Sequence, residues 1–439
     1  MNATPSTVPT APANPGHRRN HVVVVGAGFG GVAAARSLAD VPVDVTVVDA
    51  RNHHTFQPLL YQVATAGLDG DDVTYPTRGI FHRQNNATVR MAKVIGGDLD
   101  ERRLDLADGD QLHYDHLVLA AGAVTNTFGV PGVEEHAHGL KSLRDALAIR
   151  AQVLRAFEEA DARPELIDQG LLTVVIAGGG PTGVELAGGM VELFEHVLAH
   201  DFPRLDIRRA RVILVEMTDR LLGPFHPRLG AKAKDTLSAR RVEVMLSTTV
   251  DEVRPASVVL SGPTVGERVE VPAHTMIWAA GVRANPLGTA LGLDTGPGGR
   301  IRVNDDLSLA DHPEVFAIGD FAAANDPGGS ALPQLAPVAM QAGEHAADMI
   351  RSRLEGHGTE AFSYTDKGTM ATVGRASVVA QLPGGLRFSG LIGWLAWLAL
   401  HLVQLVGFRN RLNVLVNWAW NYLTYDRASR IIPEEDADA

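Results

Sequence analysis

The same glycine-rich pattern occurs twice in this chain, each time between a β-branched run and a helix-like stretch. HVVVVGAGFGGVAAARSL, residues 21–38, places Gly26, Gly28 and Gly31 in a G-x-G-x-x-G spacing directly after a buried-strand pattern. The first glycine permits a tight turn, the second lets the backbone approach a pyrophosphate, and the third lets the helix pack on the strand. The pattern therefore predicts a dinucleotide-binding unit whose helix N-terminus faces the phosphates.

An acidic residue completes this first unit. The strand-like run VDVTVVDA ends at Asp49, 23 residues after Gly26, where a carboxylate can accept hydrogen bonds from an adenosine ribose. Gly30 in the loop and Ala50 beside the acid are further candidate contacts for the nucleotide. The evidence is stronger than glycines alone would give, because a strand, the glycines, a helix, a second strand and an acid follow in this order. The alternative is a glycine-rich turn that binds no ligand.

A second segment repeats the arrangement of strand, glycines, helix, strand and acid. LLTVVIAGGGPTGVELAGG carries Gly178, Gly180 and Gly183, and the strand-like run RVILVEM ends at Glu216. A carboxylate there favours the free 2′-hydroxyl of NADH over the 2′-phosphate of NADPH, although Arg220 lies close in sequence. Two matched modules predict two bound dinucleotides, most simply FAD and NAD.

A third strand-like segment indicates which module binds FAD and which binds NADH. VFAIGD ends in Gly319-Asp320, and in flavoproteins with two dinucleotides such an acid holds the ribityl chain of FAD. Because this strand follows the second module, we predict that the second module is inserted into a discontinuous first one. The predicted bounds are 20–140 and 300–350 for the FAD-binding domain, 141–299 for the NADH-binding domain and 351–439 for a C-terminal membrane-associating region.

The composition excludes several kinds of chemistry and of partner. The chain has no cysteine, which removes a redox-active disulfide, iron–sulfur clusters and cysteine-ligated zinc. His53 and His54 lack a third ligand at a suitable spacing, so no metal site is predicted. The net charge of −12 argues against a nucleic-acid partner. Residues 1–19 lack the apolar run of a signal peptide and are predicted to form a disordered arm.

Several segments together resemble one family, the type II, non-proton-pumping NADH:quinone oxidoreductases. They are VVGAGFGGVAAARSL, RNHHTFQPLLYQVATAGL, GGGPTGVELAGG, WAAGVRANPL, VFAIGD, LAPVAMQAGEHAA, YTDKGTMATVGR and the tail. The resemblance implies an α/β fold with two Rossmann-like dinucleotide-binding domains, like that of the disulfide reductases, and a C-terminal amphipathic helical anchor. It further implies a peripheral enzyme on the cytoplasmic face of the cell membrane, which passes two electrons from NADH through FAD to a membrane quinone.

The resemblance also assigns roles to the residues of the two modules. The first three glycines and Asp49 would hold the adenosine diphosphate of FAD, and Asp320 would hold its ribityl chain. The second three glycines and Glu216 would hold NADH. Val338 and Ala339 would lie against the flavin through backbone atoms.

Three further residues would act at the flavin or the quinone. Glu185 matches a glutamate near the contact of nicotinamide and flavin, and Lys367 matches a lysine facing the flavin–quinone region. A first-turn helix acid and a solvated lysine are their alternative readings. Gln341 keeps the second glutamine of an Ala-Gln-x-Ala-x-Gln motif, and Pro337 replaces the first, which leaves the quinone contacts open. Glu185 and Gln341 are candidates for guiding the protons that a quinone needs.

The C-terminal tail holds four of the five tryptophans. Residues 391–408 form an apolar run of 18 residues, which is short for a membrane span. Arg409 and Arg411 follow at once, and a single span leaving the cytoplasm would place them outside, against the positive-inside tendency. Asn413, Asn417 and Asn421 recur every four residues. The residues that fall away from this stripe are Val414, Leu415, Trp418 and Tyr422.

These features predict helices that lie flat in the interface. Tryptophan and tyrosine favour the headgroup layer, and five arginines against one acid between residues 386 and 430 suit anionic lipid. A buried core helix and the seam of a homodimer are the alternatives for the tail. Two other functions also fit the sequence: a soluble flavin NADH oxidase or reductase with another acceptor, and a non-enzymatic redox sensor that binds NADH.

Overall fold

The computed structural model describes residues 19–263, 266–424, 427 and 429–432, so the predicted arm lies outside the described residues except for Arg19. The first module is built on a parallel five-stranded sheet. Its central strands are almost completely buried, as expected for a parallel sheet covered on both faces. The strands, in spatial order, are Val315–Ala317, His116–Leu119, Asn20–Val25, Val43–Asp49 and Ala87–Met91.

The strand order of this sheet bears on the domain organisation. Val315–Ala317 comes from beyond the second module, yet it pairs in parallel with His116–Leu119. This pairing supports the proposal of a discontinuous first domain. The first glycine helix, Phe29–Ser37, and the motif helix, Ala336–Leu354, pack against each other on this module.

The second module repeats the same architecture. Its strands, in spatial order, are Ala137–Gly139, Thr275–Trp278, Thr173–Ala177, Arg211–Val215 and Val242–Met245, all parallel. Ala137–Gly139 falls inside the range assigned above to the FAD-binding domain and pairs with this second sheet. The main helices of this part of the chain are Leu143–Ala162, the second glycine helix Pro181–Leu193, and Pro227–Ala239.

Small elements join and flank the two modules. Ala123–Thr125 and Val282–Ala284 each follow an Ala-Ala-Gly segment and pair with each other in antiparallel fashion. The remaining small sheets are His53–Thr55 with Thr74–Pro76, then Val94–Asp98 with Arg103–Leu106 and Gln111–His113, and Thr249–Arg254 with Ser257–Gly262 and Gly266–Pro272. The short helices are Leu60–Ala64, Gly70–Val73, Thr77–Phe81, Val133–His136, Ala199–Asp201 and Leu287–Ala290.

The C-terminal part begins with an antiparallel sheet and ends in two helices. The sheet consists of Thr369–Thr372, Val378–Gln381 and Arg387–Ser389. The first tail helix is Leu391–Gln404 and the second is Phe408–Thr424. Within the described part of the chain, no helix combines the length and the apolar character that crossing a membrane needs.

Each tail helix buries one face against the protein, which corrects part of the expectation for the tail. Trp418 was expected at a headgroup layer, but it is only 6% exposed and belongs to the core, as do Val414 and Trp397. Asn417 and Asn421 face inward and bond the Asp72 carboxylate and the Gly67 carbonyl. The polar stripe therefore docks the helix on the first module. Leu415 remains exposed, as expected, and the side chain of Tyr422 is not among the side chains that the structure describes.

Candidate active site between two dinucleotide cradles

The first cradle gives its glycines different tasks. Gly26 has φ +102°, and a Cβ there would lie 2.4 Å from the carbonyl oxygen of Ala120. A Cβ on Gly31 would lie 1.8 Å from the oxygen of Gly26, so the helix can pack on the strand only without a side chain. A Cβ on Gly28 would meet no atom within 4 Å. The open side of the loop is thus at the second glycine, where a pyrophosphate would approach.

The second cradle has the same geometry. Gly178 has φ +106°, and its Cβ would lie 2.6 Å from the oxygen of Ala279. A Cβ on Gly183 would lie 1.9 Å from the oxygen of Gly178, whereas a Cβ on Gly180 would meet no atom within 4 Å. Both loops therefore fit a dinucleotide by the same test.

Each predicted ribose acid also fixes its own loop. Asp49 accepts hydrogen bonds from the backbone N–H groups of Ala27, at 2.7 Å, and Arg51, at 2.8 Å. Glu216 accepts from Gly179 at 2.6 Å and from Thr218 at 2.7 Å. A carboxylate has about four acceptor positions, so both acids retain capacity for a ribose hydroxyl. Ala50, next to Asp49, is exposed.

One backbone carbonyl in each glycine loop also accepts a hydrogen bond, from a side chain in the first loop and from a backbone N–H in the second. Nδ1 of His54 hydrogen-bonds the oxygen of Ala27 at 2.8 Å, and the His54 side chain is buried. In the second loop the backbone N–H of Leu222 donates to the oxygen of Gly179 at 2.8 Å. His54 thus has a packing role in the first loop. Among the residues that the structure describes, no group of three or more acidic or histidine side chains could hold a metal ion.

Asp320 lies at the end of the strand Val315–Ala317 and has a cationic partner. Nζ of Lys141 lies 3.3 Å from its carboxylate, and both side chains are largely buried. Lys141 is 179 residues away in sequence, and no local pattern pointed to it. The pair keeps the Asp320 carboxylate in place at the edge of the first cradle.

The motif helix crosses the first glycine helix at very short range. A Cβ on Gly343 would lie 2.2 Å from the oxygen of Gly30, and a Cβ on Gly30 would lie 2.9 Å from the oxygen of Ala339. This approach brings the backbone of Ala339 next to the first cradle, and the preceding residue, Val338, is buried. The contact of both residues with a flavin stays a prediction. Pro337 stands in the first turn of the helix, where its missing N–H has no intrahelical acceptor to lose.

Gln341 and Lys367 are connected through an extended segment. Nε2 of Gln341 donates to the Thr365 carbonyl at 3.0 Å, and the Thr365 N–H donates back to Oε1 at 2.9 Å. The Gln341 amide therefore braces the segment that carries Lys367 two residues later. Lys367 itself is exposed.

Glu185 is a carboxyl of the predicted site whose pKa the protein raises. It lies on the second glycine helix, deep in the protein with part of its side chain accessible, and its Oε1 accepts a hydrogen bond from the N–H of Thr372 at 3.2 Å. Burial raises the pKa of Glu185 to about 8, against the opposing effect of the Thr372 hydrogen bonds. At neutral pH Glu185 is thus an acid that still holds its proton.

A pocket opens between Thr372 and the tail helices, and we call it the tail pocket. Its walls include Tyr61, Thr372, Trp394, Trp397 and Trp418. Close to it, Glu192 binds Arg240 at 2.7 Å and Arg427 at 3.2 Å, which ties the end of the tail to the second module. Tyr61 and Thr372 lie in segments that carried the family resemblance, but their contact spans 311 residues and was not foreseen.

Family models cover most of the chain. The model described as pyridine nucleotide-disulphide oxidoreductase matches residues 20–343, and the model described as NDH2 C-terminal domain matches residues 367–425. Two proteins of Mycobacterium tuberculosis (strain ATCC 25618 / H37Rv), both named type II NADH:quinone oxidoreductase, are 38% identical to this chain. The alignment with Ndh covers 96% of this chain and 92% of the relative, and that with NdhA covers 95% and 90%.

Solved structures agree on the fold. NDH2 from Plasmodium falciparum in complex with NADH has a TM-score of 0.85 at 19% identity, over 95% of this chain and 100% of that one. The sulfide:quinone oxidoreductase of Aquifex aeolicus has a TM-score of 0.70 at 18% identity, over 92% and 95%. The predicted α/β fold with two Rossmann-like domains is confirmed. This chain belongs to the pyridine nucleotide-disulphide oxidoreductase family and, within it, to the type II NADH:quinone oxidoreductases.

Proposed function

We propose that this protein oxidises NADH and reduces a membrane quinone through a bound FAD, without pumping protons. The observation that carries the proposal is the pair of matched glycine cradles, each with an acid braced on its loop. One chain with two such cradles holds two dinucleotides, and a family of NADH:quinone oxidoreductases uses one as a flavin and one as a nicotinamide. When bound, FAD supplies the two-electron chemistry that no side chain of this protein provides.

The first cradle is the proposed FAD site. Gly28 leaves room for the pyrophosphate, Asp49 would offer its remaining acceptor positions to the ribose, and Asp320, paired with Lys141, would accept hydrogen bonds from the ribityl chain. The backbone of Val338 and Ala339 would lie against the ring system of a bound FAD. The close crossing of the two helices at Gly30 and Gly343 holds that backbone in place.

The second cradle is the proposed NADH site. Gly180 leaves the same open side as Gly28, and Glu216 places a negative charge where the 2′-phosphate of NADPH would lie. Arg220 forms no ion pair with Glu216 among the described residues, and its Nη2 donates to the carbonyl of Gly223 instead. The site therefore favours NADH.

Glu185 holds a proton at the side of the site that leads to the tail pocket. Gln341 acts by positioning, since its amide is engaged with the backbone of Thr365, in the segment that carries Lys367. The structure supports Glu185 as a source of a proton and Gln341 as a brace for the segment beside the flavin.

The outer faces of the tail helices are the proposed membrane contact. Exposed apolar side chains cover both helices, and Arg387, Arg409 and Arg411 lie exposed among them, a combination that suits anionic lipid. A quinone dissolved in lipid can then enter the tail pocket without crossing water. The most exposed apolar side chains are Leu391, Ile392, Leu395, Val403, Phe408, Leu412, Val416, Trp420 and Leu423. The cytoplasmic face, a homodimer and the lack of a nucleic-acid partner stay predictions.

Steady-state kinetics of the purified holo-protein test this function. We expect NADH oxidation to depend on a short-chain ubiquinone or on menaquinone in liposomes, and kcat/KM to be higher for NADH than for NADPH. Turnover with oxygen alone that equals the turnover with quinone would contradict the acceptor. Equal kcat/KM for the two coenzymes would contradict the role of Glu216.

A further inference from the structure

A hydrogen-bonded chain runs from the Glu185 carboxyl to the tail pocket. The N–H of Thr372 donates to Oε1 of Glu185 at 3.2 Å. The Thr372 hydroxyl donates to the phenolic oxygen of Tyr61 at 2.9 Å. Three groups from three separate segments of the chain therefore meet in one row, and Tyr61 and Thr372 both line the tail pocket.

The tail holds the far end of this row in place. Nε1 of Trp418, on the second tail helix, donates to Oε1 of Gln62 at 2.8 Å, and Nε2 of Gln62 donates to the Tyr61 oxygen at 3.0 Å. The Tyr61 oxygen thus accepts from both sides. Among the described residues no group accepts the proton of Tyr61 itself. That proton is available to a ligand in the tail pocket whose oxygen can accept it.

We propose that Tyr61 is the proton donor to the quinone, that Thr372 relays the proton of Glu185 to it, and that Gln62 and Trp418 orient it. This inference rests on the proposed function, because it needs a quinone in the tail pocket. Tyr61 would be a catalytic residue, in contact with the quinone oxygen. Thr372 and Gln62 act through Tyr61.

The proton balance follows from the overall reaction, in which NADH, one proton and a quinone give NAD⁺ and a quinol. The hydride of NADH supplies both electrons and one of the two protons of the quinol, and water supplies the other proton, which is the one that the row carries. The Glu185 proton passes to Oγ1 of Thr372, the Thr372 proton passes to the Tyr61 oxygen, and the Tyr61 proton passes to the quinone oxygen. Glu185 then takes up a proton from water, for which its partly accessible side chain is suited.

The charges around the row are compatible with such a relay. Burial raises the pKa of Tyr61, and the negative charge of Glu192 adds to this effect, so the phenol keeps its proton until a neighbour replaces it. Glu192 is itself paired with Arg240 and Arg427. Glu185 is then the group of the row that ionises near the upper end of the physiological pH range.

The test compares Tyr61→Phe and Thr372→Val with two matched controls in FAD-loaded protein. Thr372→Ser keeps the hydroxyl, and Tyr114→Phe removes a buried hydroxyl that has no hydrogen-bond partner in the described structure. Loss of a proton donor lowers quinone turnover on the order of 10²-fold in Tyr61→Phe and Thr372→Val. The rate at which NADH bleaches the flavin stays within about twofold of the parent in all four variants, because hydride transfer precedes the relay.

Quinone binding gives a readout independent of turnover. Quenching of tryptophan fluorescence by a short-chain ubiquinone reports the tail pocket, because Trp394, Trp397 and Trp418 line it. Tyr61→Phe loses one hydrogen bond to the quinone, so Kd rises between about twofold and tenfold, whereas Thr372→Val replaces a pocket wall residue by one of similar shape and raises Kd less than Tyr61→Phe does. We expect quinone turnover of the parent to decline as pH rises through the pKa of Glu185, about 8, and we expect this decline to flatten in both variants.

The outcomes separate the relay from the function beneath it. If the parent turns over quinone and Tyr61→Phe does so equally well, the relay is wrong and the function stands. If Thr372→Ser is as slow as Thr372→Val, Thr372 is structural and the relay is overturned. If the parent itself shows no turnover on any quinone, both the relay and the proposed function fall.

Discussion

In each cradle the second and third glycines have different surroundings. A Cβ on Gly31 or Gly183 would collide with a carbonyl oxygen of its own loop, whereas a Cβ on Gly28 or Gly180 would meet nothing within 4 Å. The third glycine is thus required by the protein and the second by the ligand. This distinction makes the two positions separable by mutation.

We expect Gly28→Ala to keep the stability of the apoprotein and to lose FAD. The backbone at Gly28, φ −75° and ψ −167°, is accessible to alanine, so the free energy of unfolding changes by less than about 1 kcal/mol. The added methyl occupies the proposed pyrophosphate position and weakens FAD binding about tenfold or more, equivalent to 1.4 kcal/mol. Gly31→Ala is the contrasting control, because it overpacks the loop by at least about 1–3 kcal/mol. FAD content that is unchanged in purified Gly28→Ala would refute the assignment.

The same reasoning predicts a selective effect at Gly180. Gly180→Ala should retain FAD, since the first cradle is untouched, and should raise KM for NADH about tenfold or more. Absorbance of the bound flavin and steady-state kinetics with NADH measure the two effects in one preparation. Loss of FAD from Gly180→Ala, with FAD retained in Gly28→Ala, would mean that the two cradles are exchanged.

The carboxyl of Glu185 predicts a pH dependence of stability. Its folded pKa, about 8, lies above the ordinary value of 4.5, so the folded protein holds the proton more tightly than the unfolded chain does. Between those two values the unfolded chain gains stability as it ionises, and the folded state loses stability relative to it as pH rises. Glu185→Gln removes this loss.

We therefore expect Tm of apo Glu185→Gln to match the parent near the acidic end of that window and to exceed it by a few degrees near about pH 8. Thermal unfolding followed by circular dichroism at several pH values gives the comparison. Curves of Tm against pH that run parallel for the two proteins would show that Glu185 is not protonated in the folded state.

At the scale of whole elements, the tail shows where sequence patterns stop being informative. The four-residue spacing of Asn417 and Asn421 correctly indicated a helix with two faces, but periodicity does not say which face meets the protein. Asp72 and the carbonyl of Gly67 decide that, because they lie more than 340 residues away in sequence. The same limit hid Lys141, Tyr61 and Thr372. By contrast, strand, glycines and acid are local, and both modules could be predicted from them.

Asn410 is the best test of how the second tail helix docks. Its Nδ2 lies within hydrogen-bonding distance of three carbonyl oxygens, those of Asp71, Asp72 and Thr74, and its side chain is buried. Asn410→Ala leaves these acceptors without their donor and costs about 1–3 kcal/mol of docking free energy. Hydrogen exchange of the amides in Phe408–Thr424 should rise about tenfold or more.

Asn413→Ala is the matched control for that experiment. Asn413 lies on the same helix, and the structure gives its side chain no hydrogen bond among the described residues. Its exchange pattern should equal that of the parent. Equal protection in Asn410→Ala and Asn413→Ala would show that the three carbonyl contacts do not hold the helix.

At the scale of the whole molecule, membrane contact should depend on the outer face of the tail alone. Deleting the tail would uncover the core around Trp397 and Trp418, so point substitutions are the cleaner test. Ile392 and Val416 are 75% and 56% exposed, and each contributes about 1.5–3 kcal/mol when buried. Replacing both by serine should weaken sedimentation with anionic vesicles at least about tenfold.

The matched control replaces the same two residue types elsewhere on the surface. Ile95 and Val269 are 50% and 38% exposed and lie outside the tail. The double serine variant at these positions should bind vesicles as the parent does. If the parent and both double variants bind vesicles equally, the tail does not form the membrane contact. If both double variants lose binding equally, the contact depends on the general hydrophobicity of the surface and not on the tail.

The central claim is that one chain holds a flavin that NADH reduces and a quinone reoxidises. An anaerobic titration of the purified holo-protein tests it most directly, with the flavin absorbance followed throughout. We expect one equivalent of NADH to bleach the flavin and a short-chain ubiquinone to restore the colour. A protein that carries no flavin and takes up no added FAD, or a flavin that NADH bleaches and no quinone restores, would contradict the account.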